Sequence, residues 1–335
     1  MQAAIYGIEG TELTANERAF FKDADPAGFI LFKRNCECRD QLIGLTSEIR
    51  ALSGRPEVPI LIDQEGGRVA RMRPPEWPSF PPGEAFDRLY QLAPSSAIEA
   101  ARSNARALGL MLNEVGVNVD CLPMLDVRQS GATDIVGDRA LGSDPMQVSA
   151  LGRAILDGLH SAGVLGVIKH MPGHGRALVD SHKELPLVVA DEVELAIDLE
   201  PFERLRGAAM GMTAHVVYTA WDDERPGSQS PTVIRAIIRE RIGFDGFLMS
   251  DDIGMEALVG DHGERAAACV AAGCDVALHC DGKLENMLLV ADAVPPLSAE
   301  GEARLARAMA LTFTPQDGMD FAAAVEKRDA LLALV

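Results

Sequence analysis

Eight short apolar runs constrain this chain more than any other feature. They are AAIYG (3–7), GFILF (28–32), PILID (59–63), VNVDCLP (117–123), GVIKH (166–170), GMTAHV (211–216), GFLMSD (246–251) and CDVALHC (274–280). A sheet with one wet face would place a polar residue at every second position. These runs do not alternate, and near-continuous apolar strands belong to a parallel sheet covered on both faces. Amphipathic segments lie between them. TANERAFFKDA (14–24) opens with Thr14 and has Glu17 three residues on, the pattern of a capping box. CRDQLIGLTSEIRALS (38–53) sets Leu42, Leu45, Ile49 and Leu52 on one helical face. Further helices are predicted over 95–116, 146–163 (stopped by Gly163), 192–207 (behind Asp191) and 231–243, where Ser230 is the cap and Pro231 lies in the first turn.

Eight strands, each followed by a helix, fit a (β/α)8 TIM-type barrel better than a doubly wound open sheet, the alternative α/β layout. No linker, repeat or low-complexity stretch divides the chain, and the Pro-rich piece 74–84 reads as a loop. The expectation is a single catalytic barrel domain over residues 1–335. In such a barrel the loops that follow the strands build the active site, so the polar residues just beyond each run carry the functional reading.

The balance of 50 acidic against 31 basic residues, net charge −19, repels nucleic acid and anionic lipid. An anionic substrate would need a local basic pocket inside an acidic shell. No run of about 18 apolar residues offers a membrane span. The start, MQAAIYGIEGTEL, lacks the basic and apolar regions of a signal peptide. The six cysteines, 36, 38, 121, 269, 274 and 280, form no C-x-x-C pair and read as free thiols in a reducing compartment. A cytoplasmic monomer is expected, with neither nucleic acid nor membrane as partner.

Three stretches concentrate chemistry. ILIDQEGGRVARM places Asp63 at a strand end, with Gly66-Gly67 permitting a tight turn before Arg68 and Arg71. A carboxylate beside arginines suits a polyhydroxylated ligand. VIKHMPGHGRALVDSH (167–182) ends a strand in Lys169-His170 and continues through a Pro-Gly-His-Gly turn to Asp180-Ser181-His182. Met-Pro-Gly separates His170 from His174 and forbids the helical pair of a HExxH zinc site, so no metal and no cofactor are expected. Asp180 stands two residues before His182, the spacing of an orienter and a base. GFLMSDDIGMEAL (246–258) ends in Ser250-Asp251-Asp252. Asp251 is read as a nucleophile and Asp252 as the cap of the next helix. Arg139 lies in a Gly/Asp-rich loop. His215 reads as a core histidine, and His279 beside Cys280 resembles a ligand pair but lacks companions, while His160 and His262 carry no reading.

Taken together, GFILFKRN, LIDQEGGRVARM, VNVDCLPMLDV, GDRALGSDP, KHMPGHGRALVDSH, MTAHVVY and GFDGFLMSDDIGMEAL resemble glycoside hydrolase family 3. Within it they resemble the single-domain bacterial β-N-acetylglucosaminidases of peptidoglycan recycling, in family order over roughly residues 5 to 282. The resemblance implies a retaining mechanism. Asp251 would attack the anomeric carbon, His182 would act as acid and base, and Asp180 would orient His182. It implies sugar binding by Asp63, Arg71, Arg139, Lys169 and His170, and a small carbohydrate substrate, a GlcNAc-containing muropeptide. Arg176-Ala177 stands where many relatives have Asp-Thr. Two other readings remain open at this point: a phosphorylase on the same scaffold, because a neutral histidine repels phosphate less than a carboxylate does, and a sugar-binding barrel without turnover.

Overall fold

Each of the eight apolar runs pairs in parallel with its neighbours in sequence. The computed structural model describes residues 1–129, 131, 136–179, 181, 184–315 and 320–335. The strands are β1 (Gln2–Gly7), β2 (Pro26–Leu31), β3 (Ile60–Ile62), β4 (Val119–Asp120), β5 (Leu165–Met171), β6 (Met210–Thr213), β7 (Phe247–Asp252) and β8 (Val276–His279). Their order around the sheet follows the chain. Ile5 of β1 stands opposite both Gly28 of β2 and Leu278 of β8, so the sheet closes into a barrel. The open-sheet alternative is thereby excluded.

Closure explains the missing alternation. Ile5, Ile30, Leu61, Val119, Val167, Met210, Phe247, Met249 and Val276 pack into one buried cluster, with relative exposures of 0–1%. The intervening residues Ala4, Tyr6, Phe29, Leu31, Ile60, Ile62, Ile168 and Leu248 pack into a second, which includes residues of the helix layer such as Leu42, Ile49, Leu108 and Leu159. Both faces of every strand leave water, at roughly 1.5–3 kcal/mol of transfer free energy for each large side chain.

Helix boundaries follow the local signals. Thr14 Oγ1 accepts from Glu17 N at 3.1 Å, and Glu17 Oε2 accepts from Thr14 N at 2.8 Å, starting the helix Ala15–Ala24. Ser230 Oγ accepts from Val233 N at 3.1 Å. The helix that follows, Val233–Arg241, has π-type winding rather than α, and Ile242 N donates to Ile237 O. Helices to which the sequence reading gave no range include His262–Ala272, Gly83–Leu92, which follows the Pro-rich loop, and Phe321–Leu332, tied to the helix Pro94–Glu114 by Arg328 Nη1 donating to Asn104 Oδ1 at 3.1 Å. All six cysteines are free thiols. Among the described residues no helix is long and apolar enough to cross a membrane.

Candidate active site

At the C-terminal ends of the strands lies a cavity of about 230 Å3. Asp63, Glu65, Arg71, Arg139, Lys169, His170, Asp251 and Asp252 line it, with Phe32, Val136, Met212 and Met255 as its apolar wall.

The β3 loop supplies the first group. Gly66 and Gly67 take φ of 102° and 54°, and a Cβ on Gly66 would stand 2.3 Å from Pro81 O. This tight turn folds the chain back. The Gln64 side chain clamps it, accepting from Arg71 N at 2.8 Å and Met72 N at 3.0 Å and donating to Met72 O. Arg71 thus returns to Asp63, to whose Oδ2 its Nη2 donates at 2.9 Å, while its guanidinium lies 4.9 Å from the centroid of the Phe32 ring. Lys169, from β5, donates to Asp63 Oδ1 at 3.0 Å and reaches Glu65 Oε1 at 2.7 Å. Arg139 makes a bidentate pair with Glu65, at 2.8 and 2.7 Å. Burial alone would raise both carboxyls, but the cations outweigh it. Glu65 is held at about 2 and Asp63 below the usual carboxylate range. Burial would likewise lower Lys169, yet the two carboxylates hold it above its ordinary value and therefore charged.

A second group forms around Asp126, beyond β4. Asp126 Oδ2 lies 2.7 Å from His170 Nδ1, and Oδ1 accepts from His170 N at 3.3 Å and His174 N at 2.6 Å. Burial opposes its charge, but the His170 pairing holds it at about 2. The bond to Nδ1 fixes the ring orientation of His170 and leaves Nε2 as its other nitrogen. His174 Nε2 lies 3.3 Å from Ser181 Oγ, and burial lowers His174, favouring its neutral form. Gly175 packs so closely that a Cβ there would stand 2.0 Å from Val127 O. Arg176, in the position that departs from the family pattern, donates through Nε to Asp198 Oδ2 at 2.5 Å and through Nη2 to Glu194 O at 2.9 Å. Tyr218 OH donates to Gly173 O at 2.9 Å, so this loop is pinned from two sides. Asp180 and His182 lie outside the described residues.

The third group ends β7. Asp251 Oδ1 accepts from Asp252 N at 2.8 Å. Burial pushes the Asp251 carboxyl up, but the neighbouring His170 and His215 imidazoles outweigh it and hold it below the ordinary value. It is a carboxylate at neutral pH. His215 bonds through Nδ1 to Ser228 Oγ at 2.6 Å and through Nε2 to Asp252 O at 3.0 Å, a satisfied core histidine as its sequence position suggested.

Asp252 is not a helix cap. Its Oδ1 accepts from Gly254 N at 2.9 Å and Cys280 N at 3.2 Å, tying β7 to the end of β8. The next helix, His262–Ala272, is capped instead by Asp261, which accepts from Glu264 N at 2.9 Å. Burial beside the Asp251 charge pushes Asp252 up to about 6.

The cavity therefore brings together Asp63, Arg71, Arg139, Lys169, His170 and Asp251 from four strand ends or their loops. Glu65 and Asp126 were absent from the sequence reading. Both had a signal. Glu65 stands two residues beyond Asp63, and Asp126 is a carboxylate just past a strand run, the position singled out elsewhere.

A family model described as the glycosyl hydrolase family 3 N-terminal domain matches residues 4–310. The chain belongs to glycoside hydrolase family 3. It is 39% identical over 285 residues to a beta-hexosaminidase of Methylococcus capsulatus, covering 83% of this chain and 82% of that one. It superposes on NagZ from Neisseria gonorrhoeae, solved in complex with N-trifluoroacetyl-D-glucosamine. The TM-score is 0.85 at 31% identity, over 99% of this chain and 96% of that one. A family 3 β-N-acetylglucosaminidase from a Paenibacillus species gives a TM-score of 0.85 at 28% identity, over 98% of this chain and 66% of that one. The family 3 chain described here is accordingly a glycoside hydrolase of the β-N-acetylhexosaminidase type.

Proposed function

We propose that this family 3 enzyme removes terminal β-linked N-acetylglucosamine by double displacement, with Asp251 as nucleophile. The observation that carries this reading is an ionised carboxylate at the end of β7, lining the same cavity as the paired Asp63, Glu65, Arg71, Arg139 and Lys169. Asp251 attacks the anomeric carbon and forms a glycosyl-enzyme as the glycosidic oxygen departs. His182 donates the proton that this oxygen takes up, then withdraws one from the attacking water, with Asp180 orienting its imidazole. Asp63 accepts from sugar hydroxyls. Arg71, Arg139, Lys169 and His170 donate to hydroxyls and the N-acetyl oxygen. The substrates are GlcNAc-β-1,4-anhydro-N-acetylmuramic acid and its peptide-bearing forms, which places the enzyme in peptidoglycan recycling.

Charge favours water over phosphate as the acceptor. Among the described residues, five carboxyls, Asp63, Glu65, Asp126, Asp251 and Asp252, line the cavity against three permanent cations, Arg71, Arg139 and Lys169. Each of those cations is already paired with a carboxylate. An incoming dianion would find no uncommitted positive charge among these three.

The test compares a chromogenic β-GlcNAc with the matching β-glucoside and β-GalNAc, in phosphate buffer and in a phosphate-free one. The reading requires a strong preference for β-GlcNAc and free GlcNAc as product in both buffers. Equal rates on the glucoside, or release of GlcNAc-1-phosphate, would overturn it.

A further inference from the structure

Behind the wall formed by β8, on the side away from the sugar cavity, three potential ligand groups converge. Leu278 and Cys280 line the cavity, so the intervening His279 points outward toward the helix layer, where it is fully buried. Its ring meets Tyr6 at 6.0 Å and His262 at 5.0 Å between centroids. His262 is the first residue of the helix His262–Ala272, and Asp281 lies two residues beyond the end of β8. His279 Nε2 lies 3.2 Å from Asp281 Oδ1. One donor atom from each of His262, His279 and Asp281 falls within 4.8 Å of the others.

Among the described residues, Nδ1 and Nε2 of His279 and Nδ1 of His262 make no hydrogen bond; the Nε2 approach to Asp281 Oδ1 has ion-pair distance without hydrogen-bond alignment. Leaving such an atom unsatisfied in the interior is costly, and an aliphatic side chain would fill the same space without that cost. The carboxylate, by contrast, is firmly oriented. Asp281 Oδ1 accepts from Lys283 N at 2.8 Å and Oδ2 from Asn286 Nδ2 at 2.5 Å. Two imidazoles with unused nitrogens facing an oriented carboxylate form a donor set for a divalent transition ion.

We propose that His262, His279 and Asp281 form a binding site for a divalent transition metal, with zinc as the best-suited ion, distinct from the catalytic cavity. Bonds of about 2.0–2.1 Å in a tetrahedron bring ligand atoms to roughly 3.3 Å apart. Asp281 and His279 already stand at that spacing, and the His262 donor atom lies within 4.8 Å of both. A water completes the fourth position. The neighbouring Arg34 guanidinium donates to Cys280 O and Ile8 O and adds positive field, which moderates the affinity. The bound ion would clasp the start of the helix His262–Ala272 to the end of β8. That segment carries Cys280, whose N–H holds Asp252 beside Asp251. The site is therefore structural and supports the catalytic strand from behind.

The test uses the full chain freed of metal by chelation and dialysis, then titrated with Co2+ as a spectroscopic stand-in and with Zn2+ in a thermal-unfolding series. The expected result is one equivalent of tetrahedral Co2+, displaced by Zn2+. At Zn2+ concentrations about 100-fold above Kd the midpoint should rise by roughly 5 °C. His262→Ala, at a partly exposed helix start, should lose both signals while keeping hydrolysis of an aryl β-GlcNAc within about twofold. Asp281→Asn should weaken binding strongly. His170→Ala should leave the Co2+ spectrum intact, which separates this site from ions captured in the sugar cavity. Absence of stoichiometric binding would overturn the proposal. So would a Co2+ signal unchanged by His262→Ala, or one abolished by His170→Ala.

Discussion

Lys169 is the most informative place to disturb the paired array. Its side chain is 3% exposed and bridges Asp63 and Glu65, themselves 15% and 5% exposed. Lys169→Met keeps the aliphatic stem and removes the charge. Removing one partner of a buried ion pair costs about 3–5 kcal/mol, because a carboxylate is left uncompensated. Here each carboxylate retains a second cation, Arg71 for Asp63 and Arg139 for Glu65, which points to the low end, about 3 kcal/mol. The pKa direction agrees. Glu65 falls from 4.5 to about 2 against the opposing effect of burial, a net of about 3 kcal/mol at 1.36 kcal/mol per pH unit that its cations supply beyond the desolvation cost. At roughly 2 °C per kcal/mol for a chain of this size, the midpoint should fall by about 6 °C at pH 7.

The sign with pH follows from linkage. A carboxylate with a depressed folded-state pKa contributes stability above its unfolded value, and loses it as pH falls through the folded value. For Glu65 that window runs from about 4.5 down to about 2. Wild type loses this contribution within the window, and the variant has less to lose, so the gap between them should narrow as pH falls from 5 to 3. Thermal unfolding followed by circular dichroism at pH 7, 5 and 3.5 measures it. An unchanged midpoint at pH 7, or a gap that widens in acid, would refute the paired-array reasoning.

Asp120 is fully buried, accepts from Gln64 N at 3.0 Å and leaves Oδ2 without a partner among the described residues, and burial holds its carboxyl well above the ordinary range. An acid with a raised folded pKa loses stability as pH rises through the window between the unfolded and folded values. Asp120→Asn should therefore match or exceed wild-type stability, and its advantage should grow from pH 4 upward in urea unfolding. Gly175→Ala places a methyl 2.0 Å from Val127 O, so kcat should fall at least tenfold, with a stability loss of about 1–3 kcal/mol from overpacking; wild-type kinetics would show that this loop does not need its close approach. His182→Ala should slow a sugar leaving group far more than a dinitrophenolate, and azide should restore turnover on the latter. Equal loss on both substrates without azide rescue would remove His182 from the acid/base role.

Much of this was legible in the chain because barrel strands are buried on both faces. Unbroken apolar runs such as GFILF and PILID mark such strands, and their ends mark the rim. Asp63, Lys169 and Asp251 stand at those ends, and the structure finds them there. Ionic partners were less legible. Glu65 pairs with Arg139 across 74 positions, and a sequence gives no distance between loops. Asp252 misled because a carboxylate after a strand so often caps the next helix, whereas here a turn intervenes and Cys280 N claims it. The His279 cluster was invisible for the same reason. Its companions include His262, 17 positions away, and only barrel closure and helix packing bring them together.

The account rests on Asp251 as the nucleophile, and trapping the intermediate tests that most directly. His182→Ala is mixed with an activated aryl β-GlcNAc, quenched in acid and digested, and the peptides are read by mass spectrometry. The account predicts a single N-acetylhexosaminyl adduct, on the peptide that carries Asp251, absent from Asp251→Asn in the same background. An adduct on another carboxylate would contradict it. So would a burst of aryl alcohol with no adduct, the signature of attack by the substrate's own N-acetyl group.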